Sequence, residues 1–337
     1  MSLAWTSFAE SPALVADVGG THVRLAVATG KGLEHLTTWL CSEYETIGEA
    51  LAAYLENLPD GLRPTRAAID VAGPVTGDLV DLTNQAWSFS IDQLHTDLEL
   101  GTLIVVNDFT AQAAAIPRLE PDDIQLLKDG TAIERAARAV LGPGTGLGVG
   151  GLIHSRRGWS PLSTEGGHST LAATHPREWA VIEILRERFG RVSNERVLCG
   201  PGLVNLYQAL CQIEGEAPAD QTPAGIVQAA GEDPTSREGQ VVRMFSGWLG
   251  SVAGDLVLTL GGWGGVYLGG GVLPKMGAVF DRDFFVERFL DKGRYRDHME
   301  PIPIHLITNT EIAHLFTLAG VRLPSDPAES TLTDDLR

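Results

Sequence analysis

The feature that most constrains the fold is a stretch near the start of the chain, where two short apolar segments flank a glycine turn. It reads Ala13-Leu-Val-Ala-Asp-Val-Gly-Gly-Thr-His-Val-Arg-Leu-Ala-Val-Ala28. The aliphatic residues predict two buried strands, and Gly19-Gly20 predicts a hairpin turn with positive φ angles. Asp17 is the exception, because a buried carboxylate without a partner is costly and a bound cation would remove that cost. The turn would then offer N–H groups and the Thr21 hydroxyl to phosphate oxygens, although an ordinary hairpin with an acid at its mouth is the alternative.

A second glycine turn repeats this pattern in the middle of the chain. It reads Ala139-Val-Leu-Gly-Pro-Gly-Thr-Gly-Leu-Gly-Val-Gly-Gly-Leu-Ile153 and contains no charged residue. Gly146 to Gly151 has the form G-x-G-x-x-G, but a strand and then Arg156-Arg157-Gly158 follow instead of a helix, which argues against a dinucleotide site. A plain hairpin is the alternative here too. Two such turns, one in each half, favour a nucleotide held between two related domains.

The charge balance limits what the chain can bind. With 43 acidic residues against 25 basic ones, the formal net charge is −18. This argues against nucleic acid and polyphosphate, which need clustered Lys and Arg. The sequence has no G-x-x-x-x-G-K-[ST] loop, so a nucleotide would be held by Mg²⁺, backbone amides and helix N-termini. The length of 337 residues predicts two domains, at about 150 residues each.

Three further features bear on location. Cys41, Cys199 and Cys211 form no C-x-x-C pair, which argues against a structural zinc site and fits a reducing, cytoplasmic setting. The first residues lack a basic region and a long apolar run, so we expect no signal peptide. The uncharged run Leu256–Leu273 is long enough to cross a membrane, but its many glycines favour a helix end, a loop and a buried strand.

Hydrophobic periodicity predicts strands early in the chain and then alternating strands and helices, which indicates a mixed sheet flanked by helices. Besides the two hairpins, the predicted strands are Leu36–Tyr44, Arg66–Ala72, Leu79–Leu82, Thr102–Asn107, Val266–Val272 and Ile302–Ile307. The predicted helices are Ile47–Leu58, one capped by Ser90, Asp108–Ile116, Pro176–Phe189, Arg243–Leu260 and Glu311–Ala319. The tail from Pro324 has a composition typical of disorder.

Several polar residues stand where chemistry could occur. Asn107-Asp108 lies at a strand-to-helix junction, where an N-cap is the ordinary role of Asp108. Glu165-Gly-Gly-His168 lies in a loop, where solvated side chains are usual, and Glu195 could be an acid in a first helical turn. Taken together, these side chains are the inventory needed to bind a polyhydroxylated ring.

These residues stand in motifs that closely resemble the bacterial, proteobacterial-type glucokinases, of the sugar kinase, heat-shock chaperone and actin ATPase superfamily. The motifs span roughly 13–320 in family order. They are Asp17-Val-Gly-Gly-Thr21, Ala72-Gly-Pro-Val-Thr-Gly77, Thr83-Asn84 with Trp87-Ser-Phe-Ser90, Asn107-Asp-Phe-Thr-Ala111, Gly144-Thr-Gly-Leu-Gly148, Glu165-Gly-Gly-His168, Glu195-Arg-Val-Leu198, Gly200-Pro-Gly-Leu-Val-Asn-Leu-Tyr207 and Gly269-Gly-Gly271.

The resemblance implies a two-domain actin-like ATPase fold, of the ribonuclease H-like α/β class, with a cleft between the domains. A small α/β domain would comprise 1–117 and about 306–325, a large α+β domain 118–305, and a disordered tail 326–337. The implied activity is transfer of a phosphoryl group from MgATP to the 6-hydroxyl of glucose, the entry step of glycolysis. The implied protein is a cytoplasmic homodimer that binds neither nucleic acid nor membrane.

The resemblance also assigns residue roles. Asp108 would be the catalytic base, and Asp17 would act on Mg²⁺ through water. The sugar would be held by Gly73, Asn107, Asp108, Glu165, His168 and Glu195. MgATP would face Ala16, Asp17, Val18, Gly19, Gly20, Thr21, Gly144, Thr145, Gly146, Gly269, Gly270 and Gly271.

Two departures from the family pattern limit the resemblance. His22 stands where some relatives carry Asn, which affects the expected nucleotide contacts. The zinc-binding cysteine cluster of the related repressor and sugar-kinase family is absent, so we place the chain outside that branch.

Two other function classes stay open at this point. A sugar-sensing regulator on the same scaffold would need a DNA-reading module, which we do not expect beside a short N-terminal stretch and an acidic C-terminal tail. A chaperone-like or actin-like ATPase would share the glycine turns but lack Asn107-Asp108 and Glu165-Gly-Gly-His168 as a sugar set.

Overall fold

The computed structural model of the chain describes residues 12–29, 32–82, 87–156 and 158–308. The chain forms two compact units, one inside 1–119 and the other inside 120–310. Each unit has its own main sheet with helices around it, which confirms the predicted mixed α/β class.

The first unit is built on a five-stranded sheet. Its strands are β1 (Ala13–Val18), β2 (His22–Thr29), β3 (Gly32–Leu40) and β4 (Arg66–Val71); β5 (Leu79–Asp81) and β6 (Ser88–Ser90) form a separate pair; and β7 (Thr102–Asn107) completes the sheet. The strand order is β3-β2-β1-β4-β7. Because β1, β4 and β7 run parallel, their carboxyl ends lie side by side at one edge.

Among the described residues, three α-helices flank this sheet: α1 (Ile47–Glu56), α2 (Ile91–Asp97) and α3 (Asp108–Ala115). Leu14 and Val18 of β1 belong to the apolar core that includes α1, whereas Ala13 and Val15 pack with Ala111 of α3 on the opposite face. Side chains alternate between the two faces of a strand, so Asp17 lies on the α3 face of the sheet. Burial of both faces explains why β1 is apolar apart from that one carboxylate.

The second unit is built on a mixed six-stranded sheet, with two parallel pairs of strands in the middle and antiparallel pairs on either side. Its strands are β8 (Ile124–Lys128), β9 (Arg138–Pro143), β10 (Leu147–Ser155), β11 (Gly158–Ser163), β12 (Val266–Leu268) and β13 (Ile304–Ile307). The strand order is β11-β10-β9-β12-β13-β8. β9 and β12 run parallel with Leu141 opposite Leu268, so the two segments that follow these strands emerge side by side.

Seven α-helices complete the part of the second unit that the structure describes. They are α4 (Pro176–Phe189), α5 (Gly200–Glu214), α6 (Pro223–Glu232), α7 (Arg237–Leu260), α8 (Val272–Met276), α9 (Arg282–Leu290) and α10 (Arg296–Met299). Among the described residues, α7 is the one helix long and apolar enough to cross a membrane by length and composition, and most of its apolar window is buried inside the unit. Glycines on α7 permit close packing, since a Cβ at Gly250 would overlap the Phe285 backbone of α9. These contacts identify α7 as the core helix of the unit.

Several predicted boundaries need correction. β3 overlaps the predicted strand Leu36–Tyr44, but it begins earlier, at Gly32, and ends earlier, at Leu40; Cys41–Glu43 form a 3₁₀ turn. α7 begins at Arg237 rather than Arg243, and β12 is only Val266–Leu268. β13 pairs with β12, so residues 306 and 307 lie in the sheet of the second unit rather than with the first. The uncharged run at 256–273 is the end of α7, a turn and β12, as predicted.

Some predictions lie outside the described residues. They are the Thr83-Asn84 motif, the helix at Glu311–Ala319, most of the segment 306–325 assigned to the small domain, and the tail. They remain predictions.

Candidate active site

The first glycine turn joins β1 to β2 and is exposed at its tip. The Gly19 N–H donates to the His22 carbonyl (3.0 Å), which closes the turn. Cys41 holds the turn from behind: its N–H donates to the Thr21 carbonyl (2.9 Å) and its thiol lies 3.7 Å from the Gly19 carbonyl. The exposed backbone of Gly20 and Thr21 therefore sits on a fixed support, as a phosphate-binding turn requires.

Two expectations about this turn were wrong. Gly19 and Gly20 are not among the residues with positive φ, so the turn closes without left-handed backbone. Asp17, only 8% exposed, is not an unpaired carboxylate. Arg24 on β2, directly opposite Asp17 in the register, forms an ion pair with it at 2.7 Å. The Arg24 guanidinium therefore supplies the positive charge beside Asp17. From the sequence, we had expected a bound cation to supply that charge.

The ends of β4 and β7 bring Gly73 and Asn107 together beside this turn. The Ala72 N–H donates to the Val18 carbonyl (3.1 Å), which ties the end of β4 to the end of β1. The Asn107 side-chain amide donates to the Gly73 carbonyl (3.1 Å). In the first unit, the structure therefore brings the predicted nucleotide-binding residues 16–21 close to the predicted sugar-binding residues Gly73 and Asn107.

Asn107, and not Asp108, is the N-cap of α3. Its Oδ1 accepts hydrogen bonds from the N–H groups of Phe109 (2.9 Å) and Thr110 (3.4 Å). Asp108 occupies the first helical position, and its Oδ1 accepts from the Phe109 N–H (2.9 Å). The ordinary N-cap role weighed for Asp108 therefore belongs to its neighbour. A carboxylate at this position is favoured by the positive end of the helix dipole.

The second glycine turn lies between β9 and β10 and is tied at both ends. The Gly144 carbonyl accepts from the Gly200 N–H at the start of α5 (2.9 Å), and the Gly144 N–H donates to the Gly146 carbonyl (2.8 Å). At the other end, the Leu147 N–H donates to Oε2 of Glu195 (2.9 Å). A predicted sugar-binding carboxylate therefore contacts a predicted phosphate-binding turn directly.

The Glu165-Gly-Gly-His168 motif forms a 3₁₀ turn against the start of β10. Both glycines are needed for close approach, because a Cβ at Gly166 would overlap Val149 and one at Gly167 would overlap the Leu147 carbonyl. His168 is 59% exposed, and its Nδ1 lies 3.8 Å from Oε1 of Glu195. The structure thus gathers Glu165, His168 and Glu195 around the second glycine turn.

Gly269 and Gly270 complete this edge of the second unit. The Gly269 N–H donates to the Leu141 carbonyl (2.9 Å), and Gly270 has φ +76°. A Cβ at Gly270 would overlap the Pro143 carbonyl, so the two strand ends touch through backbone. Gly271 precedes α8 as its N-cap. Residues 144–146 and 269–271 therefore lie side by side, as the parallel pairing of β9 and β12 dictates.

Sequence reasoning missed the residues that support the two turns. Arg24, Cys41 and Cys199 are supports of this kind. The Cys199 thiol caps α5, donates to the Glu195 carbonyl (3.0 Å) and accepts from the Gly202 N–H (3.3 Å). Burial raises the pKa of this thiol to about 11, so it stays protonated and can keep donating at neutral pH. One sequence feature could have predicted this cap: Cys199 precedes Gly200-Pro201, where a helix begins, and so stands at the position usually taken by a capping Ser or Thr.

The side chains at the first turn limit how Mg²⁺ could bind. Among the described residues, no group of three or more His, Cys, Asp or Glu side chains is arranged to hold a metal ion. The buried Asp17 carboxylate at the first turn fits a metal that arrives on a nucleotide and keeps most of its waters, as Mg²⁺ usually does at phosphates. Asp17 therefore fits a contact through water better than direct ligation, because Arg24 already engages one of its oxygens.

The chain is similar in sequence and in structure to known proteins of one family. The family model described as Glucokinase matches residues 14–321. A glucokinase from Aromatoleum aromaticum is 46% identical over 303 residues, which is 88% of this chain and 90% of that protein. The crystal structure of a glucokinase from an Antarctic psychrotroph superposes with a TM-score of 0.83 at 35% identity, covering 92% of this chain and 98% of the other.

A more distant likeness concerns the fold alone. A ROK family glucokinase from Streptomyces griseus, solved with glucose and AMPPNP, has a TM-score of 0.59 at 18% identity and covers 91% of this chain and 98% of its own. Sugar kinases of that kind have the actin-like ATPase type of fold. The family model covers nearly the whole chain, and the relatives match most of it. The chain therefore belongs to the glucokinase family of ATP-dependent sugar kinases.

Proposed function

We propose that the protein transfers the γ-phosphoryl group of MgATP to the 6-hydroxyl of D-glucose and releases glucose 6-phosphate and ADP. The observation that carries this proposal is the hydrogen bond from the Leu147 N–H to Glu195, with His168 beside it. It joins a phosphate-type glycine turn to a polar set suited to sugar hydroxyls. A nucleotide-hydrolysing relative without a sugar substrate would have no use for that set.

Asp108 is the proposed general base. At the first position of α3 its carboxylate is fixed by the Phe109 N–H and would accept the proton of the 6-hydroxyl. The carboxylate near a helix N-terminus is a weak base, which is acceptable because phosphoryl transfer passes through a loose transition state and depends mainly on positioning. Asn107 would fix Asp108 through its cap and hold a sugar hydroxyl with its amide.

The remaining sugar contacts are proposed for Gly73, Glu165, His168 and Glu195. Carboxylates accept from hydroxyls, and the exposed His168 ring can donate or accept. A sugar epimer would leave one of these groups unpaired at about 1–3 kcal/mol, which is the physical basis for selecting glucose.

The MgATP contacts are proposed for two turns and a strand end: Ala16 to Thr21, Gly144 to Gly146 and Gly269 to Gly271. Backbone N–H groups in such turns bind phosphate oxygens without needing a Lys or Arg cluster. Mg²⁺ on the nucleotide would neutralise charge on the transferring phosphoryl group. Asp17, held by Arg24, would orient one of the metal-bound waters.

The cleft that the resemblance implies remains part of this proposal, as do the cytoplasmic location, the homodimer and the place at the entry of glycolysis.

The test is a phosphorylation assay over a panel of sugars and donors. We expect activity with ATP and glucose, lower kcat/KM with mannose and fructose, and none with polyphosphate. Equal kcat/KM for glucose and galactose would contradict the assignment of the sugar set. Sedimentation velocity on the same preparation tests the homodimer.

A further inference from the structure

The Glu195 side chain joins two parts of the second unit that would bind different substrates. Its Oε2 accepts the Leu147 N–H at 2.9 Å, and Leu147 is the residue that ends the second glycine turn. Its Oε1 lies 3.8 Å from Nδ1 of His168. The two oxygens belong to one rigid planar group, so a rotation that moves one also moves the other.

The glycine turn and this carboxylate fit each other tightly. A Cβ at Gly146 would overlap Oε2 of Glu195, so the carboxylate occupies the space that any side chain at 146 would need. The Leu147 bond holds one end of the turn against Glu195, and the other end is held by the bond from Gly200 to the Gly144 carbonyl. Displacement of the Glu195 carboxylate therefore changes the position of the Gly144–Leu147 backbone.

His168 is held differently in its backbone and in its ring. The His168 carbonyl accepts from Arg191 (2.8 Å), and the turn packs against β10 through Gly167. The ring itself is largely exposed. A separation of 3.8 Å is too long for a hydrogen bond, and such distances in ligand-free sites commonly shorten when the ligand binds.

We propose that Glu195, in addition to its sugar contact, carries the energetic coupling between sugar binding and nucleotide binding. This inference rests on the proposed function. A sugar hydroxyl that engages His168 and Oε1 draws the two side chains together and fixes the plane of the carboxylate. Oε2 then holds the Leu147 N–H and the glycine turn in one position, so the nucleotide phosphates meet an ordered turn. Because coupling is reciprocal, the nucleotide raises the affinity for sugar by the same factor.

The test is a titration of the full-length protein with the Mg²⁺ complex of AMP-PNP, with and without saturating glucose, by calorimetry. In the parent protein we expect glucose to raise the affinity for the nucleotide analogue by a factor of about 5–150. In Glu195→Gln, the amide oxygen can still accept from Leu147 but the group facing His168 becomes a donor, so the factor should fall towards one. Gly146→Ala should also lower it, although every functional group is retained.

Two controls accompany these variants. Glu183→Gln removes an exposed carboxylate on α4 that pairs with Arg186, and Gly48→Ala adds a methyl group on α1 that meets only ordinary contacts. Both should keep the parent coupling factor. A parent factor of one, or an unchanged factor in Glu195→Gln, would overturn the inference. Failure of the parent to bind either ligand would instead overturn the proposed function.

A second measurement needs no variant. Hydrogen exchange of the peptide that contains Leu147 should slow several-fold when glucose alone is added. Unchanged exchange at that amide under saturating glucose would also overturn the inference, even if the variants fold poorly.

Discussion

At the scale of single residues, Asp108 gives the sharpest test of the chemistry, because the structure separates it from the capping role. Asn107 caps α3, so Asp108→Asn leaves the cap intact and removes a charge near the helix N-terminus. That charge contributes about 0.3–1 kcal/mol to stability, so the melting temperature should fall only slightly. If Asp108 is the base, kcat should fall by about 10²–10⁴. Steady-state kinetics and a glucose titration on the folded variant measure both effects.

The comparison variant is Asn107→Ser, which keeps a capping oxygen but loses the amide bond to the Gly73 carbonyl. It should weaken glucose binding more than it lowers kcat. If Asp108→Asn keeps kcat within a few-fold of the parent, the base lies elsewhere in the chain.

Cys41 is a residue whose role only the structure reveals. Cys41 is only 5% exposed, and its thiol lies behind the first glycine turn at the Gly19 carbonyl. One hydrogen bond is worth about 0.5–1.5 kcal/mol, so Cys41→Ala should raise the KM for MgATP by roughly two- to tenfold, with the KM for glucose nearly unchanged. Cys211→Ala is the matched control, because Cys211 is buried in the core of the second unit. An equal loss of melting temperature in both variants with no change in KM would show that Cys41 only packs.

At the scale of helices and strands, a carboxylate at the end of α5 clamps two other helices. Glu214 pairs with Arg177 of α4 (2.6 Å) and Arg237 of α7 (2.7 Å). The hydrogen bond from Arg237 and, to a smaller extent, that from Arg177 hold the pKa of Glu214 below its ordinary value of 4.5. The folded state therefore prefers the ionised form. The stability this gives is complete above the unfolded pKa and is lost as the pH falls through the folded one.

Glu214→Gln should consequently lower the melting temperature at pH 7 and flatten its decline below about pH 4.5. Thermal unfolding between pH 3 and pH 7 measures this. The side chain is partly exposed, so the effect at neutral pH should be modest and should shrink with added salt. Parallel curves for the variant and the parent would show that the clamp does not contribute.

Local signals explain which elements could be predicted. β7 and α4 have the predicted bounds because local features mark them. β7 is an apolar run, whereas α4 has a proline in its first turn and a glycine after its last one. The first part of α7 was missed because Arg237-Glu-Gly-Gln240 is polar and contains a glycine. β8 and β11 are absent from the predicted strands. Both lie at an edge of the second sheet, and their short sequences form strands because a neighbouring strand is there to pair with.

Non-local contacts explain what could not be predicted in the candidate site. The motifs supplied Glu195 and Gly144–Gly146 separately, but the bond between Glu195 and Leu147 joins residues 48 positions apart. Arg24 was visible opposite Asp17 only once the hairpin register was known. Sequence therefore predicted the residues for chemistry, and tertiary structure identified the residues that hold them in place.

At the scale of the whole molecule, the net charge of −18 opposes the approach of an anionic nucleotide. MgATP carries negative charge and glucose carries none, so salt should affect the two substrates differently. The Debye length falls from about 30 Å at 0.01 M to about 8 Å at 0.15 M ionic strength, which screens long-range repulsion but leaves contacts in the site almost unscreened. The backbone turns proposed to hold the phosphates do not depend on a surface cluster of Lys and Arg, whose attraction salt would weaken.

We therefore expect kcat/KM for MgATP to rise by roughly two- to fivefold as NaCl is raised over this range, because like charges associate faster when screened. The kcat/KM for glucose, measured at saturating MgATP, should stay constant and serves as the internal control. Steady-state kinetics at fixed free Mg²⁺ makes the measurement. A fall in kcat/KM for MgATP would mean that a local basic patch outweighs the net charge at the nucleotide site. A parallel rise for glucose would mean that salt acts on the enzyme itself and not on the encounter with the nucleotide.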